Sequence, residues 1–268
     1  MTRTALSLAV LLITAACASA LTGPEVIAHA QARNGFSTWH DRRTVVTLEN
    51  VEEGSGRTSD AEVYEKTDPH GEHRTLIEFV SPTDRKGTRL LHVSPRGSRD
   101  QWWSWLPGTR RVRKLGGTAG GLQRDEVFVG RDLSYGDLEL LVRIQQWSDA
   151  DATTTLEGEE ACGDGQTCYR LALVPAKGND EFACARYRLW FSRDDLLLRR
   201  AELYDPDDQL MKTITCEGYF PSGHFMTARS CSVAHVNGTR ATITVREVAY
   251  DAGVADDLFT IGHLGDGN

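Results

Sequence analysis

From Thr38 to its end, the chain consists of short runs of alternating apolar and polar residues, cut by turn signals about every ten to twelve residues. That pattern restricts the fold to an antiparallel β-meander, because a period of two puts one apolar face on each run and short turns join neighbours directly. Val46 and Leu48 alternate with Val45, Thr47 and Glu49, and the turn Glu53-Gly54-Ser55-Gly56 leads to Ala61–Glu65. Runs over His73–Val80 and Gly87–Val93 follow, then Gln101-Trp102-Trp103-Ser104-Trp105-Leu106. In the second half Tyr169, Leu171 and Leu173 share a face, as do Tyr187, Leu189 and Phe191, and Ile243 with Val245. Arg193-Asp194-Asp195, Asp205-Pro206-Asp207-Asp208, Pro221-Ser222-Gly223 and Asn237-Gly238 punctuate them.

A meander of about eleven strands must close on itself or have its concave face covered. The segment Gly116–Leu141 is the expected cover, with Gly116-Gly117-Thr118-Ala119-Gly120-Gly121 as its hinge, then an apolar turn and a short helix. A second helix is predicted from Thr22 to about Arg33: Thr22 as N-cap, Pro24 early and Glu25 at the capping-box position start it. Val26, Ile27 and Ala30 form its apolar side, and Asn34-Gly35 ends it. The fold class is thus mainly β, an unclosed antiparallel barrel with a small helical lid.

The N-terminus reads as an export signal: Met1-Thr2-Arg3, an apolar run over Ala5–Ala16, and the small-x-small site Ala18-Ser19-Ala20. The run is shorter than the roughly 20 residues a membrane helix needs. This divides the chain into a signal over residues 1–20 and one domain over residues 21–268, periplasmic after export. A second reading makes Cys17 a lipidation site, although Thr14 stands where such sites usually carry Leu. Five cysteines follow the signal. Cys162 and Cys168 flank a hairpin turn and are read as a disulfide, Cys216 and Cys231 pair if their strands are in register, and Cys184 is left over as a buried thiol.

A net charge of −8 argues against nucleic acid as a partner. No nucleophile elbow, phosphate loop, dinucleotide fingerprint or zinc-protease motif is present, so no catalytic residue, metal or cofactor is assigned. His70 and His73 read as part of a solvated turn. The unusual stretch is Gln101–Leu138, where three of the six tryptophans and the basic residues Arg110, Arg111, Arg113 and Lys114 gather. The basic run is either a charged strand edge or a contact for anionic groups. Trp103 and Trp105 share one face and Trp102 takes the other. Asp132 could meet Arg113 at a cavity rim, while Asp137 suits the first turn of a helix.

In order, Trp103-x-Trp105-Leu106-Pro107, Arg110-Arg111-Val112-Arg113-Lys114-Leu115 and Phe128-x-Gly130-x-Asp132-Leu133-Ser134-Tyr135-x-Asp137-Leu138 resemble the outer-membrane lipoprotein-sorting-protein family, relatives of LolA and LolB. Leu189-Trp190-Phe191, Ala201-Glu202-Leu203-Tyr204-Asp205 and Asp256-Asp257-Leu258-Phe259-Thr260 extend the similarity. The resemblance implies a half-open barrel whose apolar cavity takes lipid or lipoprotein acyl chains, lined by Trp103, Trp105, Leu106, Phe128, Leu133, Tyr135 and Leu138. Arg111, Arg113, Asp132 and Asp137 would make the charge contacts of lid and rim. It further implies a monomeric, non-enzymatic periplasmic carrier working with a resistance-nodulation-division (RND/MMPL-type) exporter. The alternative is a lipid or lipoprotein sensor acting through a protein partner. Arg131, where a small residue is usual, Ser104, where an apolar one is usual, and the extra cysteines depart from the pattern.

Overall fold

A computed structural model describes residues 21–52, 55–95, 100–115, 127–129, 133–134, 147–163, 165–177, 182 and 184–265. The export signal, Cys17 and nearly all of the predicted Gly116–Leu141 cover lie outside them. Helix α1 (Gly23–Asn34) forms where the cap signals put it: the Thr22 amide donates to Glu25 Oε2 at 2.7 Å and the Glu25 amide donates to Thr22 Oγ1 at 3.4 Å. Val26, Ile27 and Ala30 are its buried side. Gly23 is required by proximity, since a Cβ there would stand 2.8 Å from the Thr154 carbonyl oxygen.

The first meander is β1 (Asp41–Glu52), β2 (Ser55–Thr67), β3 (His73–Phe79), β4 (Arg89–Ser94), β5 (Gln101–Leu106) and β6 (Arg111–Leu115). Two short strands, β7 (Val127–Val129) and β8 (Leu133–Ser134), pair only with each other. The second meander is β9 (Ala152–Ala161), β10 (Thr167–Pro175), β11 (Arg186–Ser192), β12 (Leu198–Tyr204), β13 (Leu210–Glu217), β16 (Ser230–His235) and β17 (Arg240–Tyr250). A small hairpin of β14 (Phe220–Ser222) and β15 (Phe225–Thr227) interrupts it, and α2 (Ile261–Gly265) ends the described chain.

The two meanders join where β1 pairs with β17, so one antiparallel sheet of thirteen strands runs from β6 at one edge to β9 at the other without closing. Thirteen replaces the expected eleven or so partly because strands like β9 have a faint pattern. Its inward side offers Ala152, Thr154 and Leu156 against exposed Thr153, Thr155 and Glu157, with one large apolar residue in six. Bulges at Val45/Val46, Arg170/Leu171, Trp190/Phe191 and Leu203/Tyr204 add local twist, which helps the sheet curl.

Helix α1 packs its apolar side on the concave face, where Leu171, Leu173, Leu189 and Phe191 of β10 and β11 meet Val46 and Leu48 of β1 in the main core. Cys162 and Cys168 form a disulfide across the β9–β10 turn, and Cys216 and Cys231, directly opposite each other on β13 and β16, form a second. Cys184 is half-buried at the edge of the core rather than enclosed in it, because it stands in the loop before β11.

Candidate functional site

The concave side of β1 to β5 is graded by polarity. Along β1 the inward residues are Arg42, Thr44, Val46 and Leu48, so each step of two residues leads from charge to hydrocarbon. The register repeats this gradient across the sheet. Glu65, Thr75, His92 and Trp102 lie in one row with Arg42, and Val63 and Ile77 in the next row with Thr44. Together with Phe191, Leu197, Leu198, Ile243, Val245 and the Cys216–Cys231 bridge, these side chains wall a cavity of about 300 Å³, at the lower end of the range for ligand sites. Ala30, Gln31 and Asn34 of α1 cover part of it. The helix is tied down there, with Gln31 Nε2 donating to the Trp147 carbonyl at 3.0 Å and Arg33 Nη1 to that of Asp194 at 3.2 Å.

The polar end is a closed network. Arg42 Nε donates to Glu65 Oε2 at 2.6 Å and its Nη1 to the Tyr250 hydroxyl at 3.4 Å, while the rings of Trp39 and Tyr250 lie 5.1 and 5.6 Å from the guanidinium carbon. Buried His73 places Nε2 3.6 Å from Glu65 Oε1 and Nδ1 2.9 Å from Thr67 Oγ1. Burial works to raise the Glu65 pKa, but the charge of Arg42 and the contact with His73 outweigh it and hold the carboxylate down to about 2. Burial pushes His73 below the ordinary imidazole value, and Glu65 offsets this only in part. Burial also acts to lower Arg42, yet Glu65 and Tyr250 leave it above the usual guanidinium range. At neutral pH the network therefore holds one positive and one negative charge and a neutral imidazole. His73 is thus the first residue of β3 inside this network, not part of the solvated turn its neighbours Pro69 and Gly71 suggested.

The tryptophans change places relative to the sequence reading. Trp103 and Trp105 do share a face, but it is the convex one, where they pack with Leu76, Leu91, Val254, Phe259 and Leu264. Of the three it is Trp102 that joins the cavity wall, which Trp39 also lines, and it is stacked on His92 with ring centroids 4.1 Å apart. Alternation separates the two faces of a strand without saying which is inward. That is decided by the register, which seats Trp102 against His92 and Trp103 against Leu91. Leu106 lies beyond the cavity at the strand end, 39 % exposed, and is not among the wall residues.

Arg111 and Arg113 are opposite Leu106 and Ser104 on edge strand β6, exposed, and on the side of the sheet that Trp102 faces. Asp132, Tyr135, Asp137 and Leu138 lie outside the described residues. Phe128 and Leu133 fall in β7 and β8, of which only the backbone is described. The residues that sequence reasoning missed are Arg42, Thr44, Glu65, Thr75 and His92. Their signal was present as polar residues at inward positions of otherwise apolar strands. Among the described residues no group of three or more His, Cys, Asp and Glu is arranged to hold a metal.

A family model described as an uncharacterized protein matches residues 71–266, well over half of the chain, and the chain belongs to that family. No curated protein matches it. Among solved structures it is similar to a DUF1329 family protein from Desulfovibrio piger, with 26% identity over 90% of this chain and 97% of that one and a TM-score of 0.80. A domain assigned to the outer membrane lipoprotein-sorting proteins of Vibrio parahaemolyticus superposes with a TM-score of 0.78 at 19% identity, covering 91% and 98% of the two chains. The LolA superfamily protein NE2245 from Nitrosomonas europaea gives 0.67 at 15% identity, covering 91% and 100%. The fold is LolA/LolB-like, as the sequence resemblance implied.

Proposed function

We propose that this member of the family is a non-enzymatic periplasmic carrier that holds lipid or lipoprotein acyl chains in the concave cavity and delivers them toward the outer membrane. The observation that carries the reading is the graded cavity itself, an apolar hollow walled by a sheet that stays open at its edges. Hydrocarbon entering it leaves water at a gain of about 0.8 kcal/mol per methylene. A hollow filled by one acyl chain therefore gives useful affinity after ordering costs. Two disulfides suit an oxidising compartment, and no helix among the described residues is long and apolar enough to cross a membrane. The lipoprotein-sorting domain from Vibrio parahaemolyticus, which shares this fold, suggests the direction of transfer. An RND/MMPL-type exporter as partner and a monomeric state rest on the sequence resemblance alone.

The test is transfer of a fluorescent acyl lipid from donor to acceptor vesicles. Wild-type protein should accelerate it, and Leu198→Asp and Ile243→Asp, at half-buried wall positions, should abolish the acceleration. Transfer unchanged in both folded variants would remove the cavity from the function.

A further inference from the structure

The cavity's polar end contains two hydroxyls that the rest of the network does not use. Thr44 Oγ1 and Thr75 Oγ1 are buried in residues 6% and 8% exposed, they belong to the cavity wall, and neither has a hydrogen-bond partner among the described residues. Two buried hydroxyls without partners in one wall are uncommon and costly, since such groups are nearly always satisfied. They flank the Arg42–Glu65 pair: Thr75 is opposite Glu65, and Thr44 is two residues along β1 from Arg42.

The neighbouring charges decide what kind of group they receive. Arg42 is neutralised by Glu65, all three of its nitrogens are engaged, Nε and Nη2 by Glu65 and Nη1 by the Tyr250 hydroxyl, and aromatic rings lie against it. A phosphate or carboxylate placed here would meet no free cation among the described residues of the network and would sit beside an ionised glutamate, where an unpaired buried charge is strongly disfavoured. A cation would likewise find Glu65 already occupied. A head that carries more than one neutral hydroxyl or carbonyl group loses nothing by this balance and can use both threonine hydroxyls, which the register sets two strands and two residues apart and which can each donate and accept.

We infer that the cavity selects an uncharged amphiphile, a lipid with a hydroxyl- or ester-bearing neutral head on Thr44 and Thr75 and its hydrocarbon running past Val46 and Leu48 toward Phe191. This rests on the carrier reading and narrows its cargo from acyl chains in general to neutral lipids.

Affinities of the purified protein for three probes of equal chain length test it: monopalmitoylglycerol with a neutral hydroxyl head, palmitate with an anionic one, and hexadecane with none. Monopalmitoylglycerol should bind at least about tenfold more tightly than either of the others, the effect of two net hydrogen bonds. The isosteric pair Thr44→Val and Thr75→Val should remove that preference and leave hexadecane binding within about twofold, because only the hydrogen bonds are lost. Thermal unfolding of the double variant verifies that it folds. Equal binding of all three probes, or tighter binding of palmitate, overturns the head-group inference and leaves the carrier reading standing. Failure of the wild type to bind any of the three overturns both.

Discussion

A single strand, β5, presents tryptophan on both faces of the sheet, with opposite results. On the convex face Trp103 and Trp105 are sealed by the chain itself: Val254, Phe259 and Leu264 come back over them, and Arg89 and Lys114 lie over their rings. On the concave face Trp102 looks across a hollow toward β11 and β12, and helix α1 covers only part of it. Both faces bury aromatic surface, and beside these three tryptophans only the concave one keeps space. The difference shows that an apolar face becomes a core when the chain has an element to lay over it, and a binding site when it does not.

Four perturbations separate the two faces. The largest effect is expected on the concave side from Glu65→Ala, which leaves Arg42 without its counter-charge and should cost about 3–5 kcal/mol in a urea titration. It should also impair lipid retention in whatever protein stays folded. On the convex side Leu264→Ala removes a fully buried side chain. A loss of about 3 kcal/mol is expected, with retention per folded molecule unchanged. If Leu264→Ala weakens retention as much as Glu65→Ala, the two faces are one unit and the contrast fails.

Acid should act on the concave side first. His73 has a folded pKa below its unfolded value of about 6.5, and Glu65 is held at about 2 against an ordinary value of 4.5. Both groups take up protons more readily in the unfolded chain, so their stabilisation is full above pH 6.5 or so and is lost as pH falls. Glu65 alone should withdraw about 3 kcal/mol between roughly pH 5 and pH 2. Urea midpoints measured down this range should decline in wild type, and the part due to Glu65 should be missing in Glu65→Gln. The smallest expected effect is that of Thr22→Ala, which opens the capping box of α1 and should lower stability by about 1 kcal/mol. Because α1 covers the hollow, faster lipid release should accompany it, read as the rate of transfer to acceptor vesicles.

The meander, the α1 boundaries, the Cys162–Cys168 bridge and the Asn237-Gly238 hairpin were legible because each depends on local chemistry: alternation, capping, spacing and turn preference. The site was legible only in kind. The tryptophan strand was identified as part of the cavity region, but its inward residue is set by pairing with β4, and pairing is a long-range property that a single strand does not encode. The network of Arg42, Glu65 and His73 was missed for the same reason. The residues come from three strands, the third beginning at His73 directly after a turn-like stretch, and only the register of β1, β2 and β3 brings them together. The departure at Ser104 has a simple structural place: it is inward-facing on β5 and buried, in the row that runs from Thr44 through Val63, Ile77 and Leu90 and on to Arg113.

The proposed carrier role requires the concave hollow to hold lipid. Native mass spectrometry of protein purified from its own cells without detergent, followed by solvent extraction, tests this most directly. One bound lipid per chain is expected, lost in Leu198→Asp. Protein that is empty as isolated, and that stays empty after incubation with vesicles of lipid from the same cells, would contradict it.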